Sequence, residues 1–264
     1  AQAFQSVLPE TPETYAIVEL LKVYDTYDAH GSITLRRIGR AYDGGYVIPE
    51  LAMQEAEVVM GYGISDDISF EDDASSLYGK PSFGFDGSSK SVKPKAPNCH
   101  FIPSNIVSEK FVKSLGNRVR TTTFGSFNQH LSWIGASDKK LFLKMDIEGN
   151  EYPVMPDILK HASKITGIVL EIHFAVVEQI EQALKLMQKL SQDFLLVHVH
   201  GNNCAESAFV TSNSKGELPR LFELTYINKN LVQSYEISRD QSHPKPFDMP
   251  NGSAMPDVSF TITY

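Results

Sequence analysis

The chain has 264 residues, 42% of them apolar and 21% charged, with 24 Lys and Arg against 32 Asp and Glu for a formal charge of −8. That composition excludes a disordered chain and suits a single large α/β core, while the acidic balance opposes a nucleic-acid partner. The two cysteines, Cys99 and Cys204, form no CxxC pair, which rules out a disulfide framework and points to a reducing, cytoplasmic setting.

Residues Ala1 to Glu10 carry no basic-then-apolar leader. Nowhere does an apolar run reach the ~20 residues that span a bilayer, so no membrane partner is expected. Ile17, Leu20, Leu21 and Tyr24 are spaced for a helix over Thr14 to Tyr27. Ile33 to Glu50 then reads as two short extended pieces about a turn at Asp43-Gly44-Gly45. Residues 1–50 are thus expected to form a helix and an active-site cover, with 51–264 as the core of the same structural domain.

The first core strand is Glu57 to Tyr62, followed by Gly63 and an acidic stretch. Ser82 to Asp86 and Cys99 to Asn105 carry two more strands, and Val119 to Phe124 reads as a short extended link. Lys140 to Ile147, Gly167 to His173 and Leu195 to His200 are almost unbroken apolar runs. Such runs mark strands covered on both faces, as in parallel sheets. Val176 to Leu190 places Ile180, Leu184, Met187 and Leu190 on one helical stripe, completing a strand–helix–strand unit. Leu221 to Ile227 reads as a strand, Gln241 to Pro256 as loop, and Val258 to Tyr264 as an edge strand. The expected fold is a doubly wound, mostly parallel seven-stranded α/β sheet with one antiparallel strand near the C-terminus.

Gly61-Tyr62-Gly63 directly follows a buried strand, where glycines let the backbone turn tightly beneath a cofactor. The third glycine of a dinucleotide fingerprint is missing, and acids follow in its place. Asp86 ends the next strand, where a carboxylate accepts ribose hydroxyl protons. Turn and acid together imply a nucleoside cofactor without pyrophosphate, which favours S-adenosylmethionine (SAM).

Ligands in open α/β sheets sit at the carboxyl ends of the strands. Asp146 and Glu148 lie at the end of one apolar strand, Glu171 and His173 at the end of the next, and His198 and His200 on a third, ahead of Gly201-Asn202-Asn203. Alternation sends the members of each pair to one face. The set reads either as a hydrogen-bonded site around a transferable methyl group or as a divalent metal site with Asp146, Glu148, His173 and His200 as ligands.

The segments LRRIGRAYDGGYVI, VVMGYGISDDISFEDD, FGFD, RTTTFGSF, LFLKMDIEGNEYPVM, IVLEIH, LVHVHGNN and LFELTYI span Leu35 to Ile227. In that order they resemble the FkbM-type SAM-dependent methyltransferases. The resemblance implies a Rossmann-like class I methyltransferase core. It makes Gly61, Tyr62 and Gly63 the cofactor turn, Asp86 the ribose acid, and Asp146 a neighbour of the methionine or sulfonium part. The chain departs from the usual pattern in a shorter first glycine motif, since an acid commonly opens the strand there. Glu57 comes too early, and Asp66 or Asp67 takes part of that role.

The function expected is O-methylation of a small polar acceptor: a sugar, a phosphate ester or another anionic metabolite. Arg36, Arg37, Arg40, Tyr42 and Tyr46 of the cover, with Asn202, are the candidate acceptor contacts, because clustered arginines clamp phosphate or carboxylate. His173 is the expected base, since its unperturbed pKa of ~6.5 suits proton removal, with Glu171 or Glu148 orienting its ring and His200 as the second choice. Two other functions compete: a metal-dependent transferase or hydrolase built on the same acids and histidines, and a nucleoside-binding module without catalysis.

Overall fold

A computed structural model describes residues 4–89, 92–115, 123–174 and 177–263. Seven strands form the central sheet: β1 (Val58–Tyr62), β2 (Ser82–Phe85), β3 (Cys99–Ile102), β4 (Leu141–Met145), β5 (Ile165–His173), β6 (Phe194–Gly201) and β7 (Leu221–Asn228). Their order is β3-β2-β1-β4-β5-β7-β6. Every neighbouring pair from β3 to β5 is parallel, whereas β7 runs antiparallel to both β5 and β6. This is the Rossmann-like methyltransferase arrangement, with its antiparallel strand where the sequence placed it.

Alternation along the strands divides the core between the two faces. Met60, Leu143, Leu170 and Leu224 pack on one face with α5 (Phe127–Trp133), α6 (Glu151–Ile158) and α7 (Val177–Asp193). Val59, Phe142, Val169 and Ile227 pack on the other with α2 (Glu50–Glu55) and α3 (Ser69–Tyr78). Burial on both faces explains why β1, β4 and β5 read as continuous apolar runs.

The N-terminal helix is shorter than its apolar spacing suggests. α1 covers Pro12–Leu20, opened by a capping box between Thr11 and Thr14. Tyr24 to Tyr27, expected as the last turn of the helix, instead belong to a strand, Tyr24–Asp28, paired antiparallel with Ser234–Ile237. A tertiary partner overrides the local period there. The two extended pieces about Asp43-Gly44-Gly45 form an antiparallel pair, Leu35–Ile38 with Tyr46–Pro49. The last strand, Phe260–Ile262, lies outside the main sheet and in the middle of a small one, between Ser214–Lys215 and Ser242–His243. The expected link over Val119 to Phe124 falls mostly on 119–122, outside the described residues; Phe124–Gly125 pairs with Asn105–Ile106.

Candidate active site

Register fixes the site. Met145 pairs with Leu170, so Asp146, one residue on, comes level with Glu171; Glu171 pairs with Glu223, and Glu223 with His200. A polar row therefore crosses the carboxyl ends of β4, β5 and β6 and the amino end of the antiparallel β7, on the face shared with Phe142, Val169 and Ile227. Lys144, two residues before Asp146, is 5% exposed on the same face.

Beside this row, at the ends of β1 and β2, opens a cleft of about 520 Å³. Gly63, Ser65, Asp86, Asn105, Ile106, Asp146 and Glu148 are among its lining residues. Gly63 has φ +75, and a Cβ there would lie 1.5 Å from the Asp146 carbonyl oxygen. Only glycine lets the β1 loop pass this close to the end of β4. The cleft also carries two of the three described non-glycine residues with positive φ, Ser65 (50) and Glu148 (56). The third, Tyr42 (64), belongs to the cover turn.

Asp86 is buried at the end of β2. Its Oδ2 accepts from the Ser65 N–H at 2.8 Å, and its Oδ1 from the N–H groups of Ser88 at 2.7 Å and Ser89 at 3.2 Å. Burial disfavours its charge, but the Ser88 hydroxyl and these N–H groups outweigh burial and hold the carboxyl below its usual range. Asp86 thus stays ionised and pins the β1 and β2 loops together at the cleft wall.

The second wall is the Asp146 corner. The Tyr46 hydroxyl donates to Asp146 Oδ2 at 2.9 Å, and Asp146 Oδ1 has no partner. Asn202 Nδ2 donates to Glu171 Oε1 at 3.3 Å, and Glu171 Oε2 likewise has no partner. The His173 Nε2 lies 3.3 Å from Glu148 and 3.5 Å from Glu171, while its Nδ1 lies 3.3 Å from Glu151. That last contact lacks hydrogen-bond geometry, since Nδ1 counts among the buried atoms without a partner. Burial, reinforced by Asp146 and Glu223, raises the Glu171 pKa well above the usual carboxyl range. Burial would lower that of His173, but Glu151, Asp146 and Glu148 more than reverse this and raise it.

Several candidates lie elsewhere. Tyr62 does not line the cleft: it points to the opposite face, against the stacked rings of Phe85 and His130, as alternation from Met60 requires. His200 is held by carboxylates on both ring nitrogens, Glu223 at 3.1 Å and Asp257 at 3.0 Å. It is therefore not part of the group formed by Asp146, Glu171 and His173. Glu148 touches His173, but its side chain is 85% exposed and it too stands outside that group.

The cover arginines do not converge. Arg36 reaches Glu50 at 3.4 Å, and Arg37 donates to the carbonyls of Arg40 and Tyr42. Arg40 pairs with Asp67 at 3.2 Å and lines a small cavity of about 100 Å³ with Tyr46, Asp66 and Lys144. Tyr42 is exposed, whereas Tyr46 is fully buried and meets Asp146.

Sequence reading passed over Lys144, Glu151 and Glu223. Lys144 donates to the Gly63 carbonyl at 2.8 Å and sits 5.1 Å over the Tyr46 ring. Glu151, wholly buried, accepts from the N–H groups of Ile147 and Gly149. For Lys144 and Glu223 the available signal was a charge inside an apolar strand, in LFLKM and LFELTYI, since buried charges need partners.

A family model described as the methyltransferase FkbM domain matches residues 63–207, more than half of the chain. Neither the curated proteins nor the solved structures give a match.

Proposed function

The chain belongs to the FkbM methyltransferase family and is a SAM-dependent methyltransferase of a small acceptor, and we propose that it methylates a hydroxyl of an anionic or polyhydroxyl metabolite at the Asp146 corner. The cleft suits the cofactor. Its volume lies within the ~300–1,000 Å³ usual for small-molecule sites. One wall offers an ionised carboxylate at the end of β2 for ribose hydroxyls, and Gly63 keeps the β1 loop clear of side chain.

When bound, SAM supplies an activated methyl group. In this reading Gly61, Gly63 and Asp86 hold its nucleoside. Asp146, with Asp66 at the mouth of the small cavity, faces the methionine and sulfonium end. Tyr46 fixes the Asp146 carboxylate by its hydroxyl. Gly61 lines neither cavity and supports the turn from behind: a Cβ there would lie 1.6 Å from Glu71 Oε1, so its absence lets α3 pack against the end of β1.

A hydroxyl acceptor has to lose its proton during transfer, and the Asp146–Glu171–His173 corner is the place for it. The observation that carries this reading is that donor atoms of these three side chains lie within 4.8 Å of one another, beside the cleft that Asp146 lines. His173 is the proton-handling group, oriented by Glu171 and Glu148. Asn202 holds Glu171 from the acceptor side. Arg40 and Tyr42 stand at the rim of the cover, where an anionic acceptor would meet them; Arg36, engaged with Glu50, has the weakest claim. The free cysteines, one of them exposed, fit a reducing compartment, and we assign the chain to the cytoplasm.

The test is turnover of His173→Ala in a methyl-transfer screen of sugars, phosphate esters and phenols, with affinity for S-adenosylhomocysteine measured in parallel by calorimetry. Turnover is expected to fall by 10²–10⁴-fold, the usual worth of a proton-transfer group, with cofactor affinity unchanged. Near-normal turnover would remove His173 from the reaction, and a preference for apolar phenols would overturn the acceptor class.

A further inference from the structure

The Asp146 corner gathers more carboxyl oxygens than its surroundings satisfy. Asp146, Glu148, Glu151 and Glu171 surround the single imidazole of His173. Lys144 acts on Glu171 only through space, because its ammonium makes its hydrogen bonds to the carbonyls of Gly63 and Tyr62. Buried carboxylates without a partner are costly, and a protein keeps them where a cation or a proton completes the set.

The way each carboxylate is held indicates which. A neutral donor takes one oxygen of each and leaves the other free: Tyr46 holds Asp146 Oδ2 and leaves Oδ1, while Asn202 holds Glu171 Oε1 and leaves Oε2. Glu171 is 5% exposed, so its free oxygen is shielded from bulk solvent. Outer hydrogen bonds of this kind orient metal ligands in proteins. The three groups come from adjacent strand ends fixed by the Met145–Leu170 register, so the backbone has already placed them.

We propose that Asp146, Glu171 and His173 bind a divalent cation, through the free carboxylate oxygens and the imidazole, beside the cofactor cleft. Two oxygen donors and one nitrogen suit a cation of the Mg²⁺ or Mn²⁺ type. Such ions take about six ligands, so three protein groups leave open positions. Asp146 lines the cleft, and the open positions therefore face the acceptor. The acceptor class that follows has two adjacent oxygens: a vicinal diol or an α-hydroxy acid. Tyr46 and Asn202 act as positioning residues. The inference rests on the acceptor meeting the Asp146 corner, and it makes His173 a ligand that promotes deprotonation through the ion it holds.

Mn²⁺ binding to the full chain, followed by electron paramagnetic resonance, tests this without reference to turnover. One Mn²⁺ per chain is expected. Glu171→Gln and Asp146→Asn, which keep shape and remove charge, should each weaken binding at least tenfold. Asn202→Ala should weaken it about tenfold, the usual effect of losing an outer hydrogen bond to a ligand. Asp138→Asn, a fully exposed acid, should leave it unchanged. Circular dichroism identifies any variant that fails to fold, and the unmutated chain carries the first arm alone. Absence of stoichiometric Mn²⁺ binding, or binding indifferent to both Glu171→Gln and Asp146→Asn, would overturn the proposal. Calorimetry with S-adenosylhomocysteine on the same samples separates the two readings. Cofactor binding without Mn²⁺ binding removes the cation and leaves the methyltransferase cleft standing. Mn²⁺ binding lost with Glu171→Gln, in a chain that ignores the cofactor, removes the cleft reading and keeps the cation site.

Discussion

Asp86 and His200 are both buried ionisable residues at strand ends, and their partners give them opposite consequences. Asp86 joins the β1 and β2 loops through backbone N–H groups and stays ionised. In Asp86→Ala the cofactor loses its ribose acceptor, and SAM affinity is expected to drop by about 1.5–3 kcal/mol, the range for hydrogen bonds to a charged group. Unchanged SAM affinity by calorimetry would remove the ribose role. His200 lies between Glu223 and Asp257, and donating from both ring nitrogens requires the protonated ring. Burial opposes that charge, yet the two carboxylates prevail and push the pKa up to about 10. A folded pKa above the unfolded value of ~6.5 means the stabilisation is complete below pH ~6.5 and disappears as pH rises toward 10. The Tm of the unmutated chain should therefore fall across that interval, and His200→Gln should flatten the fall. A slope that His200→Gln leaves intact would assign the loss to other groups. The same geometry removes the residue from consideration as a base, because both ring nitrogens already carry protons held by carboxylates.

The elements that carry the site were the most legible in the sequence. β1, β4 and β5 are apolar on both faces, so they stood out as uninterrupted runs whose ends bear Gly63, Asp146 and His173. Less legible was anything decided by a distant partner. Tyr24–Asp28 continues the apolar spacing of α1 but pairs with Ser234–Ile237, more than 200 residues on. Tyr62 sits inside the glycine motif, yet strand alternation turns it into the core. Glu223 joined the site only through register with Glu171 and His200, which no local pattern encodes. At this scale Gly63 carries the sharpest expectation. A side chain there would need a left-handed backbone, costing ~1–2 kcal/mol, and would also strike the Asp146 backbone, which has no rotamer to yield. Gly63→Ala should lower Tm and weaken SAM binding together, because the strain displaces the loop carrying Ser65. A stable Gly63→Ala protein with full cofactor affinity would show that the loop has room to spare. Thr11→Ala, which removes the α1 cap far from the cleft, should cost about 1 kcal/mol by denaturant unfolding and leave SAM binding alone.

Across the whole molecule the chain's two ends are interlocked, and this bears on what folds as a unit. The family match stops at residue 207, before β7, the strand that fills the gap between β5 and β6. A fragment limited to 63–207 would leave those two strands without the neighbour between them, exposing ladder groups and apolar faces alike. The N-terminal residues are tied to the other end: Ser6–Leu8 pairs with Ser207–Phe209, and Gln241 bonds both backbone groups of Val23. The Thr225 hydroxyl donates to the Val47 carbonyl, fastening the cover to β7. The final segment supplies Asn251 to Glu223 at 2.6 Å and Asp257 to His200, so it completes the polar row from outside the sheet. We infer that 1–50 and 51–264 are a cover and core of one cooperative unit. The full chain should unfold in a single calorimetric transition. Truncation after Arg239 should be severe, since it leaves His200 and Glu223 with half their partners, and breaking a buried ion pair costs ~3–5 kcal/mol. Loss of that size is a large share of the ~5–15 kcal/mol that stabilises a typical domain. A separate low-temperature transition for residues 1–50, or a truncated chain melting like the full one, would mean that the ends are appended to the sheet and take no part in holding it.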